Sequence, residues 1–529
     1  MHNDLVLINA HCYTMNPAQP HASALVVRGG RIAYVGDDEG ARASVLPGAE
    51  VVDLGGACVV PGLGDAHMHM NWYARSLAQV DVETPTLDEA LARVAARVAQ
   101  TPAGGWISGR GWNHNVWGGE LPTAASLDRV ASHHPVFLSA KSGHAGWVNS
   151  RALALAGITR DTPDPEGGEI VRDAAGEPTG ALLEGAAMAP VRNLIPAPTH
   201  ETLMDQVRVA MRQAHRLGLT CVHDMDGPDV FRAEQELLER GDLSIRIVKS
   251  IPLAFLDEAI AVGLRTGYGN DRLRIGQVKM FTDGALGPRT AWMLEGFETA
   301  PDNCGIPTNP IERVREGVLK ANAAGLGAAI HAIGDRACRE VIDIYQVSNA
   351  RHPGLRNRVE HAQILHPDDQ PRMARLGVVA SMQPIHATSD MHISDLHLGE
   401  RAAGAYCFRA LLNHGTVLAF GSDCPVEVID PLVGIHAAVT RRRGDGTPGP
   451  DGWRGDQRLT VEEAVRGFTH GAAYAAGVER DLGTLALGKL GDVTVLGADI
   501  FRIDPMEIAA TPVLGTVVGG EFVWRADSL

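Results

Sequence analysis

His67 and His69 stand one residue apart at the end of the apolar run that begins at Cys58. Alternate residues of a strand face the same side, so both imidazoles can reach one ion. An isolated H-x-H pair arises readily by chance; repetition is what gives this one weight. His331 closes the run 327–330, His361 follows Arg358-Val359-Glu360, and Asp423 follows the run 418–422. Lys279 sits inside the apolar run 275–281. A polar group on an otherwise apolar barrel strand costs free energy unless it is paired or ligated. If these runs are neighbouring strands of one barrel, their C-terminal ends meet at one rim, where barrel enzymes keep their active sites. His67, His69, Lys279, His331, His361 and Asp423 then converge, and such a set suits a divalent metal that activates water for hydrolysis.

Other residues are weaker candidates. His144, His223 and His386 could contact substrate or support the ligands, although an ordinary structural role is the better reading of each. Trp72 and Tyr73 directly follow the H-x-H pair, and Trp112 lies in a Trp-rich stretch; all three could wall a pocket or simply pack. Arg289 could hold a substrate carboxylate or carbonyl, or brace its own loop. Two motifs are decoys. Residues 483–489 fit G-x-x-x-x-G-K, but Leu490 replaces the Ser or Thr that a phosphate loop needs. Residues 444–449 fit G-x-G-x-x-G, with no strand before and no helix after.

The elements that must position these groups are legible as alternating strands and helices. Strand-like runs at 58–66, 220–224, 245–250, 275–281, 328–331, 358–361, 378–382 and 417–421 number eight, with helical stretches such as 312–324 and 336–349 between them. Eight such repeats predict an α/β fold, a (β/α)8 TIM barrel over 57–476. Residues 75–200 break the repeat and read as an insertion after the first strand. Both ends carry short strands punctuated by glycine pairs, so residues 1–56 and 477–529 are expected to build one small β-sandwich.

Composition narrows the class. The 529 residues hold 47 basic and 63 acidic groups, a net charge of −16, which disfavours nucleic-acid and anionic-membrane partners. The one dense basic run, Arg441-Arg442-Arg443, reads as a solvated turn. Seven scattered cysteines without C-x-x-C suggest buried thiols in a reducing compartment. No targeting segment or membrane span is apparent, so a cytoplasmic protein is expected.

The segment Pro61-Gly62-Leu63-Gly64-Asp65-Ala66-His67-Met68-His69 resembles the first-strand motif of the amidohydrolase superfamily. Lys279–Arg289 (KMFTDGALGPR), His331-Ala332-Ile333-Gly334-Asp335, Glu360-His361-Ala362-Gln363 and Gly421-Ser422-Asp423-Cys424-Pro425 are similar to motifs of its YtcJ-like branch, which includes N-substituted formamide deformylases. The resemblance spans nearly the whole chain. It implies one or two divalent ions, Zn2+ foremost, held by His67, His69, His331, His361 and Asp423. It also implies that Lys279 is carboxylated and bridges the ions, that Asp423 shuttles protons, and that the enzyme is a homodimer acting on a small amide. An esterase or lactonase, a single-metal deaminase and a non-catalytic metal-binding regulator are the alternatives.

Overall fold

The computed structural model describes residues 4–114, 116–140, 145–165 and 168–529. The eight expected strands are present as Leu63–Met68 (β1), Leu219–Asp224 (β2), Arg246–Pro252 (β3), Leu273–Phe281 (β4), Ala328–Ala332 (β5), Arg358–His361 (β6), Val379–Met382 (β7) and Leu418–Phe420 (β8). They pair in chain order, each parallel to the next. Parallel neighbours need a long crossover, which helices such as Ile311–Ala323 and Asp335–Arg351 supply. The strands are almost wholly buried, as a sheet covered on both faces requires.

The seam between β8 and β1 closes just beyond the strands. Met68 bridges Cys424, Asp423 N donates to His67 O at 2.7 Å, and His69 N donates to Cys424 O at 2.9 Å. Asp65 reinforces the seam by accepting from His67 N and Ser422 N at 3.0 and 3.1 Å. The approach is too close for a side chain at Gly421, whose Cβ would lie 2.5 Å from His67 N. Closing the barrel thus sets Asp423 beside the two first-strand histidines.

The first strand begins later than the apolar run suggests. Gly55-Gly56 does not end the preceding strand: both glycines take positive φ, and Glu50–Pro61 continues through the irregularity. Cys58–Pro61 pair antiparallel with Val493–Leu496, outside the barrel. The chain changes sheet at Gly62, where a Cβ would lie 2.4 Å from Thr220 Oγ1.

The terminal strands form one connected sheet, in the order Glu521–Arg525, Val513–Val518, Val493–Leu496, Glu50–Pro61, Leu5–Tyr13, Ala24–Arg28, Arg31–Gly36. Its two faces pack separately: Leu5, Leu7, Leu25 and Val27 on one, Val6, Ile8, Ala24 and Val26 with Ala41 on the other. Arg246 on β3 grips Asp492 with two hydrogen bonds of 2.7 and 2.8 Å, both side chains buried. Removing one partner strands a buried charge, so Arg246→Met is expected to cost about 3–5 kcal/mol. Adding Asp492→Leu should recover most of it. Urea unfolding of the single and double variants measures both.

Residues Trp72–Gln206 form a compact unit of their own. Its six-stranded sheet runs Glu169–Arg172, Pro178–Leu183, Ala145–Val148, Val136–Ala140, Ile107–Trp112, Val80–Asp81. Trp112, Trp117 and Trp147 cluster there, and each indole N–H donates to a backbone carbonyl, of Leu138, Thr84 and Thr123. Among the described residues the seven cysteines form no disulfide, and no helix is long and apolar enough to cross a membrane.

Candidate metal centre

At the C-terminal ends of the barrel strands the imidazoles form a row. Ring centroids lie 4.6 Å apart for His331–His361, 4.9 Å for His361–His67 and 5.8 Å for His67–His69. Asp423 faces them: Oδ1 is 3.5 Å from His67 Nε2 and 3.4 Å from His69 Nε2. Lys279 Nζ reaches to 3.4 Å from His67 Nε2. His361 and Asp423 have positive φ, 70° and 57°, where non-glycine residues rarely sit. Such strain costs about 1–3 kcal/mol per residue and persists where the surroundings impose it, commonly at functional sites.

Each ring is fixed by its far nitrogen. His67 Nδ1 pairs with Glu360 Oε2 at 2.5 Å, His69 Nδ1 with Asp226 Oδ1 at 2.9 Å, and His361 Nδ1 with Gln383 Oε1 at 2.8 Å. Those oxygens accept, so Nδ1 carries the hydrogen and Nε2 keeps its lone pair for a ligand. His331 is reversed: Nε2 donates to Gly284 O at 2.9 Å, leaving Nδ1. Burial lowers His67 and His331 to about 4 and drives His361 well below the usual imidazole range, with the Lys279 charge adding to each effect. Neutral imidazole is the form that binds metal. His69 differs. Burial pulls it down, but hydrogen bonds to Asp226 and Asp423 outweigh that and raise it to about 9. Despite its burial, Asp423 is held well below the carboxylate range, chiefly by its hydrogen bond to His69 and by His67 and His361.

Two buried networks stand behind the first-strand pair. Arg358, fully buried, donates to Glu360, to His223 Nδ1 at 2.8 Å and to Ser381 Oγ at 2.8 Å. It compensates the carboxylate that aims His67 and locks His223 in a supporting place. Lys249, also buried, binds Asp224 and donates to Asp226 O at 2.6 Å, while Asp224 and Asp226 accept from Met70 N and Asn71 N. That lattice orients His69. Partners of this kind typically contribute 10–100-fold to metal affinity. Asp226→Asn is therefore expected to weaken binding by about that factor with the fold intact. Competition against a chromophoric chelator measures it.

The site's chemistry fits a metal. His67, His69 and Asp423 present ligand atoms within 4.8 Å of one another, and so do His361, His386 and Asp423. His386 Nε2 is buried without a hydrogen bond among the described residues. Of the sequence candidates, His67, His69, Lys279, His361 and Asp423 come together. His331 packs on His361 but belongs to neither triad of ligand atoms. His386 joins the cluster, whereas His223 sits behind it. Trp72 is exposed and Tyr73 buried on the helix Met70–Ala78. Trp112, 1% exposed with its indole satisfied, packs its own unit's core and is no free wall. The Arg289 charge acts on His397, lowering it after burial does. His144 lies outside the described residues.

The Arg441–Arg443 run is not a solvated turn. Arg441 is fully buried, donating to Trp453 O and Tyr406 O, and Arg443 donates to Thr388 O and Ser389 O. Its setting among Gly and Pro hid that role. Lys489 of the G-x-x-x-x-G-K decoy likewise donates to Glu479 O and Leu482 O. Sequence reasoning missed Glu360, Asp226, Gln383, Arg358 and Lys249 as supports. Only the alternation Arg358-x-Glu360 inside an apolar strand carried a signal.

Residues 50–524 match the sequence model of the amidohydrolase family. The putative amidohydrolase YtcJ of Bacillus subtilis is 32% identical over 97% of this chain and 98% of its own length. The N-substituted formamide deformylase of Arthrobacter pascens is 31% identical over 98% and 97%. The crystal structure of an uncharacterized metal-dependent hydrolase from Pyrococcus horikoshii OT3 superposes with a TM-score of 0.80 at 30% identity, covering 95% of this chain and 99% of that one. With a ligand cluster at the expected rim and likeness along nearly its full length, the chain belongs to the amidohydrolase family, in its YtcJ-like branch, and is a metal-dependent hydrolase.

Proposed function

We propose that the protein hydrolyses the C–N bond of a small, largely apolar N-substituted amide, an N-formyl or short N-acyl amine, with Asp423 as proton shuttle. The observation that carries this reading is Asp423 itself, one buried carboxylate shared by two triads of ligand atoms. The residues that would hold one or two divalent ions, Zn2+ foremost, are His67, His69, Lys279, His331, His361 and Asp423. A bound divalent ion there polarises the substrate carbonyl and acidifies water.

The chain's own groups do the rest. Asp423, ionised at neutral pH, accepts the proton of the attacking water on a carboxylate oxygen and returns it to the leaving nitrogen. An amide needs that second transfer because an amine anion is a poor leaving group. Lys279 is lowered to about 8, chiefly by burial, which favours the neutral amine over the ammonium. The neutral amine can add carbon dioxide: an N–C bond forms, one proton leaves, and the carbamate offers two oxygens where an ammonium offers none. We read Lys279 as so carboxylated. A cytoplasmic homodimer completes the reading, resting on seven scattered cysteines without C-x-x-C and on the family likeness.

Steady-state kinetics on N-benzylformamide, an N-acyl amino acid and a phenyl ester test the substrate class. Turnover of at least one amide under metal-replete conditions is expected. If only the ester reacts, the amide assignment falls and an esterase or lactonase replaces it.

A further inference from the structure

His386 is placed like a ligand. It lies on the helix Pro384–Ser389, which follows β7. Its ring runs parallel to that of His361, with 6.2 Å between centroids and 12° between planes. Its Nε2 is buried, makes no hydrogen bond among the described residues, and faces Asp423 Oδ2 at 3.8 Å. That separation is too long for a hydrogen bond. It is close to the spacing of two donors on one ion, since ligands at ~2.1 Å in a tetrahedral shell stand ~3.4 Å apart. A buried imidazole nitrogen without a partner is costly, and a cation between it and the carboxylate would satisfy both.

The surroundings hold the ring there. Gln383, at the start of that helix, fixes His361 Nδ1, so one turn of chain aims both rings. At the other end Arg443 donates to the free carbonyls of Thr388 and Ser389 at 3.0 and 3.2 Å. A capped helix end offers a rigid base, which a ligand needs more than a substrate-adaptable contact does.

We propose that His386 is a further metal ligand, joining His361 and Asp423 on one ion, while His67, His69 and Asp423 lie about the other. The proposal rests on the reading of the site as a metal centre. It adds a ligand beyond the barrel-strand histidines, on the helix after β7.

The test compares wild type with His386→Ala and His386→Gln, the latter retaining a polar group of similar reach. Zinc per chain is measured by elemental analysis after dialysis against a competing chelator, and visible spectra are recorded for the Co2+-loaded proteins. The expected result is loss of one ion, or at least tenfold weaker binding of it, with shifted cobalt bands in whichever variant folds. Wild-type zinc content and unchanged cobalt bands in a folded variant would overturn the proposal and leave His386 as a substrate contact. Wild type that binds no stoichiometric metal would instead overturn the metal-centre reading itself.

Discussion

Asp423→Asn is expected to lower kcat on an amide substrate by about 10²–10⁴-fold or more, with KM changed only a few-fold. The asparagine has the same shape and can keep the seam contact through its backbone, since Asp423 N donates to His67 O. Its amide can still accept a hydrogen bond through one oxygen, but it cannot take up and return a proton. Loss should therefore fall on turnover, while the circular dichroism and melting temperature stay near wild type. Single-turnover measurement separates this from slow product release. A folded variant with near-normal kcat would remove the proton-shuttle role.

Lys279→Ala should release at least one ion per chain and abolish most activity. Lys279 brings an amine from β4 to the ligand row, 3.4 Å from His67 Nε2, and as an ammonium it would repel a cation there. As a carbamate it adds two anionic oxygens. Alanine removes them and leaves room behind, so a small carboxylate such as acetate or propionate added in solution should restore part of both metal content and rate. Elemental analysis with and without the added acid reads the outcome. Full metal occupancy and full activity in Lys279→Ala would reject the bridge, and a deaminase-like single-ion site would then be the better account.

The eight strands and the candidate ligand positions on them were legible because burial on both faces forces apolar runs, and a polar residue within or closing such a run stands out. His67, Lys279, His361 and Asp423 are of this kind. The limits of the first strand were not legible, because Cys58–Pro61 is as apolar as a barrel strand while pairing in the terminal sheet. What separates them is the close approach at Gly62, a three-dimensional constraint. The supports behind the ligands were hidden for a related reason. Asp226 meets His69 from 157 positions away, and nothing local marks it as a partner rather than a surface acid. Arg441 shows the opposite error: a charged residue in a Gly/Pro stretch looks solvated until its carbonyl partners and the Trp453 ring are seen around it. His386 stood in no barrel-strand run and so was only a weaker candidate, for substrate or support, until folding brought it to Asp423.

The central claim is that hydrolysis depends on metal held by this histidine row and Asp423. The direct measurement strips the purified protein with a chelator, then follows N-benzylformamide hydrolysis as Zn2+ is titrated back, with bound metal counted at each point. The account predicts negligible turnover in the stripped protein and a rate that rises with bound metal to a plateau at one or two ions per chain. Undiminished hydrolysis by protein shown to be metal-free would contradict it.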